Sequence, residues 1–405
     1  MPNLPNAAKN PPVSTSPLSP LAQLKQQQWR AVKEHLQEWY AQPDLEALRA
    51  SMAVYLSHFM NDTPIWMFLL GPPSTGKSEL CITPLSKQLE THTISTITEA
   101  SFISAFNEKA GILPNLRNGN GVLLFSDFSN FLALNPEVRG KLQAQMREIY
   151  DGKYQKHAGN RRNPVVWEGK VTILAACTPE LERYWGLENS LGDRFLQIQL
   201  IPPDPTVVNQ FMLKQFGMDK SKIIATTNKL ITNFLTDIDE HPDVAPPSAS
   251  LVKKLFLLTD ICVSLRQSVH RNFQGKLVDI GTKEGTPRFA RMALNLAKTH
   301  AKMFGRSNLI PSDERILTRV LQDTCPRRRI QFCRILLNWD DAISMNDFRT
   351  HVPDATYQLC YRIIEELQAL RVVRAETIMR DKEFWLDPEF RDLLISAGVT
   401  PWPIG

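Results

Sequence analysis

Long apolar runs are missing from this 405-residue chain. The longest beside a strand pattern is Ile65 to Leu70, far short of the ~18 to 20 residues that a membrane helix needs, so no span is expected. Metal-ligand spacings are missing too. The six cysteines (Cys81, Cys177, Cys262, Cys325, Cys333 and Cys360) form no CxxC pair, and the eight histidines show neither HExxH nor HxH spacing. This argues against a zinc ribbon and a disulfide framework, and the cysteines read as small buried apolar residues. A large excess of one charge sign is also missing. With 47 Lys plus Arg against 42 Asp plus Glu, the net charge of +5 is too small to indicate nucleic-acid binding, so any basic surface must be local. The first residues, MPNLPNAAKNPPVSTSPLSP, show no basic start followed by an apolar stretch and no Arg-rich amphipathic pattern. No targeting segment is visible, and a cytoplasmic location is expected.

At ~150 residues per domain the length suggests two or three domains. Residues 1–20 are rich in Pro, Ser and Asn and read as a disordered arm, because they cannot bury enough surface to offset ordering entropy. In 21–61, apolar residues recur at three- and four-residue steps on both sides of Gln42-Pro43, which predicts a pair of amphipathic helices. Residues 62–203 alternate apolar runs with helical patterns, as βα units do. The strand candidates are Trp66 to Leu70, Thr93 to Ile97, Val122 to Phe125, Val171 to Ala176 and Phe195 to Gln199. Residues 204–324 read as a helical subdomain with turn-rich breaks at 241–248 and 281–287. Residues 325–405 read as three helices and a hairpin, in the order that a winged helix-turn-helix uses.

The strongest motif is Gly71-Pro72-Pro73-Ser74-Thr75-Gly76-Lys77-Ser78, a complete GxxxxGK[ST] between an apolar strand and a helix-forming run. Glycines allow a tight turn whose N–H groups point at phosphate oxygens, at a helix start that favours an anion. Lys77 is expected at the β- and γ-phosphates and Ser78 on Mg²⁺, so ATP and Mg²⁺ are the implied cofactors. Gly121-Val122-Leu123-Leu124-Phe125-Ser126-Asp127 supplies a carboxylate where a buried strand emerges, and Asp127 is expected to bind the same metal through water. Most ATPases of this division carry Glu directly after that Asp, whereas this chain has Phe128. Glu79 and Glu99 are the candidate substitutes as general base; the alternative for either is a solvated carboxylate that complements a helix start.

With these elements in hand, Val171 to Pro179 resembles the strand that carries sensor 1 in AAA+ ATPases, with Thr178 at the usually Asn position. Ser190-Leu191-Gly192-Asp193-Arg194-Phe195-Leu196 looks like the LxxRF element of minichromosome-maintenance and related AAA+ helicases. That resemblance implies that Arg194 is an arginine finger reaching into a neighbouring subunit, and hence a ring, a hexamer by family analogy. Thr286 to Lys302 is similar to the sensor 2 helix of the same helicases, which implies that Arg288 reaches the γ-phosphate; the alternative is an arginine that only solvates a helix. The string REIYDGKY…W.GKV also resembles P-loop ATPases encoded by bacteriophages and mobile elements. The AAA+ resemblance covers about Pro64 to Asp323.

Alternation around Gly159-Asn160 predicts a β-hairpin that presents Lys153, Lys156, His157, Arg161 and Arg162. In the minichromosome-maintenance clade a hairpin before sensor 1 tracks DNA in the ring channel, through phosphate contacts without sequence reading. The other reading is an exposed polar hairpin. In the candidate recognition helix of the winged helix, Thr356, Gln358, Tyr361 and Arg362 are the polar and basic groups, with Arg380 and Lys382 at the wing tip; docking to protein is the alternative there. The expectation is an α/β AAA+ P-loop core with a parallel sheet, a helical lid and a C-terminal winged helix-turn-helix. It would act as an oligomeric, helicase-like DNA motor in replication of a phage or mobile element, with replication proteins as partners. A slow nucleotide-dependent switch or loader is the alternative. A sigma-factor-engaging regulator would need a GAFTGA-like loop, which this sequence lacks.

Overall fold

The computed structural model describes residues 18–104, 110–157, 163–179, 181, 194–237, 241–378 and 381–403. The expected N-terminal arm lies almost wholly outside them. The chain opens with α1 (Pro20–Trp39) and α2 (Leu45–Ser57), each started by a side-chain cap. Ser19 Oγ accepts from Ala22 N at 3.1 Å, and Asp44 Oδ1 accepts from Ala47 N at 3.0 Å, so each cap satisfies a helix-start N–H that has no partner within the helix. Next come β1 (Trp66–Leu70), a π-type turn over Lys77–Ile82 that runs into the short α3 (Thr83–Leu85), β2 (Thr91–Ile94) and β3 (Gly121–Phe125). They are followed by α4 (Ser129–Leu132), α5 (Pro136–Tyr150), β4 (Lys153–Lys156), β5 (Val165–Glu168), β6 (Val171–Cys177) and β7 (Phe195–Gln199).

Five of these strands form one parallel sheet in the order β2-β3-β6-β1-β7. Strands β1, β3 and β6 are buried along their whole length, which is why their sequences read as continuous apolar runs rather than as alternation. The register aligns Leu70 with both Cys177 and Gln199, and Phe125 with Ala175. Consequently the residues after β1, β3 and β6 emerge side by side at one end of the sheet. Trp66 opposite Phe195 and Gly121 opposite Val171 mark the other end. Strands β4 and β5 pair antiparallel outside this sheet, as the alternation predicts; the turn between them, with Arg161 and Arg162, lies outside the described residues.

The helical region contains α6 (Pro205–Gln215), α7 (Lys220–Leu235), α8 (Ala249–Arg266), α9 (Thr286–Met303) and α10 (Pro311–Thr324). Between α8 and α9 the expected helical run is broken by a small hairpin, β8 (Val269–Arg271) and β9 (Leu277–Ile280). The last part consists of α11 (Arg327–Leu336), β10 (Ile343–Ser344), α12 (Met345–Thr350), α13 (Tyr357–Ala369), β11 (Val373–Ile378), β12 (Asp381–Leu386) and α14 (Pro388–Ser396). Its strands pair in the order β10-β12-β11. Arg329 ties this part to the helical region by donating to Leu265 O and Gln267 O at 2.7 Å each, while its guanidinium pairs with Glu366 at 3.0 Å. No helix among the described residues is long and apolar enough to cross a membrane.

Candidate functional site

The loop after β1 is built by its own backbone geometry. Gly76 adopts φ 86°, where a Cβ would also lie 2.8 Å from Leu80 Cδ1, and Ser74 adopts φ 65°. Those left-handed residues and the bond from Thr75 Oγ1 to Pro72 O (2.9 Å) curl the chain into a compact loop. Lys77 Nζ donates to Gly71 O at 2.5 Å and Pro72 O at 2.7 Å, so the ammonium is held against the loop. Burial pulls the Lys77 pKa below its usual value, and Cys177 and Asp127 act in the opposite sense.

Around this loop lies a cavity of about 610 Å³, a volume suited to a small organic ligand. Its lining includes Pro73, Ser74, Thr75, Gly76, Lys77, Ser78 and Glu79 from the loop, Asp127 from the end of β3, and Thr178 from the end of β6. Sheet order explains the meeting: β6 sits between β1 and β3, so three distant sequence elements open into one crevice at the carboxyl ends of the strands. Asp127 is exposed and its Oδ1 accepts from Ser129 N at 2.9 Å. Ser129 Oγ lies 3.5 Å from Thr178 Oγ1, which links the two strand ends. Ser78 supplies a hydroxyl and Asp127 a carboxylate, the hard oxygen ligands that a divalent cation such as Mg²⁺ takes.

Phe128 faces the other way. It is fully buried, with its ring centroid 5.0 Å from Phe68, 5.3 Å from Phe125 and 4.6 Å from Phe131. Its N–H donates to Ala176 O at 2.7 Å, fixing the turn that presents Asp127. The position after Asp127 therefore serves the core rather than the crevice. Of the two substitute carboxylates, Glu79 lines the cavity but pairs with Lys220 at 2.6 Å. Glu99 lies outside that lining, 3.6 Å from Lys141 Nζ.

Several lining residues belong to no sequence motif. Tyr40, Ala41, Gln42 and Pro43, from the link between α1 and α2, close one side of the cavity with Pro203 and Val208. Gln42, at φ 43°, accepts from Asp204 N at 2.8 Å through its Oε1. Asp44 then anchors the link to Arg319 at 2.5 Å. The Gln42-Pro43 break was the available hint, but it gives no direction.

The remaining candidates lie elsewhere. Arg194 immediately precedes β7 and Arg288 opens α9, and both approach Tyr150, at 5.5 and 5.8 Å from its ring centroid. Arg194 also lies 3.5 Å from Asp151. Arg288 lines a second cavity, of about 560 Å³, with Asp62, Tyr150, Asp151, Lys170 and Arg291. Because Asp62 and Lys170 precede β1 and β6, this cavity is at the end of the sheet opposite the Lys77 loop. Arg288 is thus not beside the loop of its own chain. Ser190 to Asp193 lie outside the described residues.

Among the hairpin cations, Lys153 pairs across the strands with Glu168 at 2.7 Å. Lys156 is spent on the backbone, donating to Glu99 O at 2.6 Å and Ile103 O at 3.1 Å. His157 is exposed. Arg161 and Arg162 lie outside the described residues. No protein-family model matches the chain, and no curated protein matches it.

Proposed function

We propose that the protein is an ATP-hydrolysing, ring-forming AAA+ DNA motor, helicase-like and acting in replication of a phage or mobile element. The observation that carries this reading is the meeting of Lys77, Ser78, Asp127 and Thr178 in one crevice at the carboxyl ends of three adjacent parallel strands. Lys77 and the loop N–H groups would hold the triphosphate, with Thr178 beside its terminal phosphate. Ser78 and Asp127 would hold Mg²⁺, which when bound neutralises charge on the phosphate oxygens. Arg194 and Arg288 share the opposite end of the sheet, which supports a role for both on the nucleotide of a neighbouring subunit. There, guanidinium charge would stabilise the transferred phosphoryl group. The order of elements after Pro326 supports a winged helix.

The second reading, a slow nucleotide-dependent switch or loader, is favoured by Phe128. The residue directly after Asp127 is this buried ring and not a carboxylate, and Glu79 is paired with Lys220. Steady-state ATP hydrolysis at low salt, with and without single-stranded and forked DNA, separates the two. A motor predicts stimulation of several-fold by DNA, abolished in Lys77→Ala. Feeble hydrolysis coupled to ATP-dependent DNA binding would favour the switch.

A further inference from the structure

The β8–β9 hairpin has no part in the nucleotide crevice, yet its tip is firmly built. Asn272 Oδ1 accepts from Gln274 N and Lys276 N at 3.0 Å each, Gly275 N donates to Asn272 O at 2.9 Å, and Gly275 takes φ 77°. This turn holds Phe273 97% exposed. A single exposed aromatic is ordinary on a protein surface. Here, however, the base of the hairpin is clamped to α13: Arg271 donates to Glu365 at 2.5 Å and to Arg362 O at 3.1 Å. That clamp neutralises Glu365, and Arg329 does the same for Glu366 at 3.0 Å. The adjoining turns of α13 present tyrosines outward, each beside a cation from α12 or β12. Tyr361 is 42% exposed with Lys382 Nζ 4.7 Å from its ring centroid, and Tyr357 is 47% exposed with the Arg349 guanidinium at 5.5 Å.

We propose that this hairpin is a finger for single-stranded DNA, with Phe273 stacking on an unpaired base and Lys276, Tyr361 and Lys382 flanking the strand. Interleaved aromatic rings and cations are what a base face and a phosphate backbone require together, without sequence preference. The inference rests on the DNA-motor reading and deepens it. Strand β9 leads within a few residues to α9, whose first turn carries Arg288, so contact at the tip is one short link from the arginine end of the sheet.

The test is the affinity of the full chain for a fluorescein-labelled oligothymidine at low salt, comparing wild type, Phe273→Ala and Phe273→Trp. Loss of one stacked base predicts about tenfold weaker binding for Phe273→Ala, restored by Phe273→Trp, with Trp emission quenched on binding. Wild-type binding that survives Phe273→Ala unchanged would overturn the finger and leave the DNA reading intact. Absence of oligothymidine binding by wild type would overturn both. Unchanged DNA affinity with loss of self-association in Phe273→Ala would instead make Phe273 a contact between copies of the chain.

Discussion

The two ends of the central sheet gather different chemistry. At the carboxyl ends of the strands, a Gly-containing loop, a hydroxyl, a carboxylate and Lys77 surround one open crevice. At the amino ends, Arg194 and Arg288 gather on Tyr150 beside Asp151. In the proposed reading, the loop and Lys77 at one end hold phosphates, while the guanidinium groups at the other end, of which Arg288 lines a cavity apart from the Lys77 loop, serve the nucleotide of a neighbouring chain. A parallel sheet separates the two by its own length, so residues after β1 and before β7 cannot meet within one subunit. We read the difference as the division of one reaction site between neighbouring chains.

The largest expected effect follows from that division. Lys77→Ala should remove nucleotide binding and hydrolysis together. Arg194→Ala should keep nucleotide affinity and lower turnover by about 10³-fold, the scale of an arginine supplied in trans. Equal loss of affinity in both variants, measured by titration calorimetry, would mean that Arg194 acts at its own chain's crevice and would break the comparison.

A smaller effect sharpens the account of the crevice. If Phe128 belongs to the core, Phe128→Glu does not add a catalytic carboxylate; it places a charge among Phe68, Phe125 and Phe131. We expect a loss of about 3–5 kcal/mol in unfolding free energy, the scale of removing a buried aromatic, with no gain in turnover. A stable Phe128→Glu protein with faster hydrolysis would show that this position can turn toward the nucleotide.

The smallest effect concerns the arginine end. His58 follows α2 and bonds to Glu90 at 2.8 Å, near Lys170, whose Nζ donates to Ser57 O at 2.7 Å. Burial holds the His58 pKa below its ordinary value, outweighing the opposing pull of Glu90. On acidification the unfolded chain takes up this proton first. The neutral-His contribution is therefore intact above ~6.5 and declines as the pH falls below it, at up to about 1.4 kcal/mol per pH unit. Unfolding free energy measured between pH 7.5 and 5.5 should fall less steeply in His58→Gln than in wild type. Identical slopes would remove His58 from the account.

What the sequence disclosed follows the range of the forces involved. Buried strands such as Trp66–Leu70 and Val171–Cys177 declare themselves because both faces are apolar, and the Lys77 loop because its geometry demands specific residues in a row. The strand expected at Thr93 to Ile97 forms earlier, at Thr91–Ile94, where it pairs with Val122–Phe125. Local pattern does not fix where a half-exposed edge strand starts. The β8–β9 hairpin was hidden for a related reason: its strands are short and only partly buried, so neither periodicity dominates. The position of Arg288 was illegible because it depends on where α9 packs. Likewise the Tyr40–Pro43 wall of the crevice depends on Asp44 meeting Arg319, 275 residues away.

The most direct test of the division between chains is to mix Arg194→Ala and Lys77→Ala proteins, each inactive alone, and measure ATP hydrolysis across ratios. A site shared between neighbours predicts recovered activity that peaks in mixtures, since an intact Lys77 loop then meets an intact Arg194. No recovery at any ratio, with mixed oligomers verified by crosslinking, would contradict it.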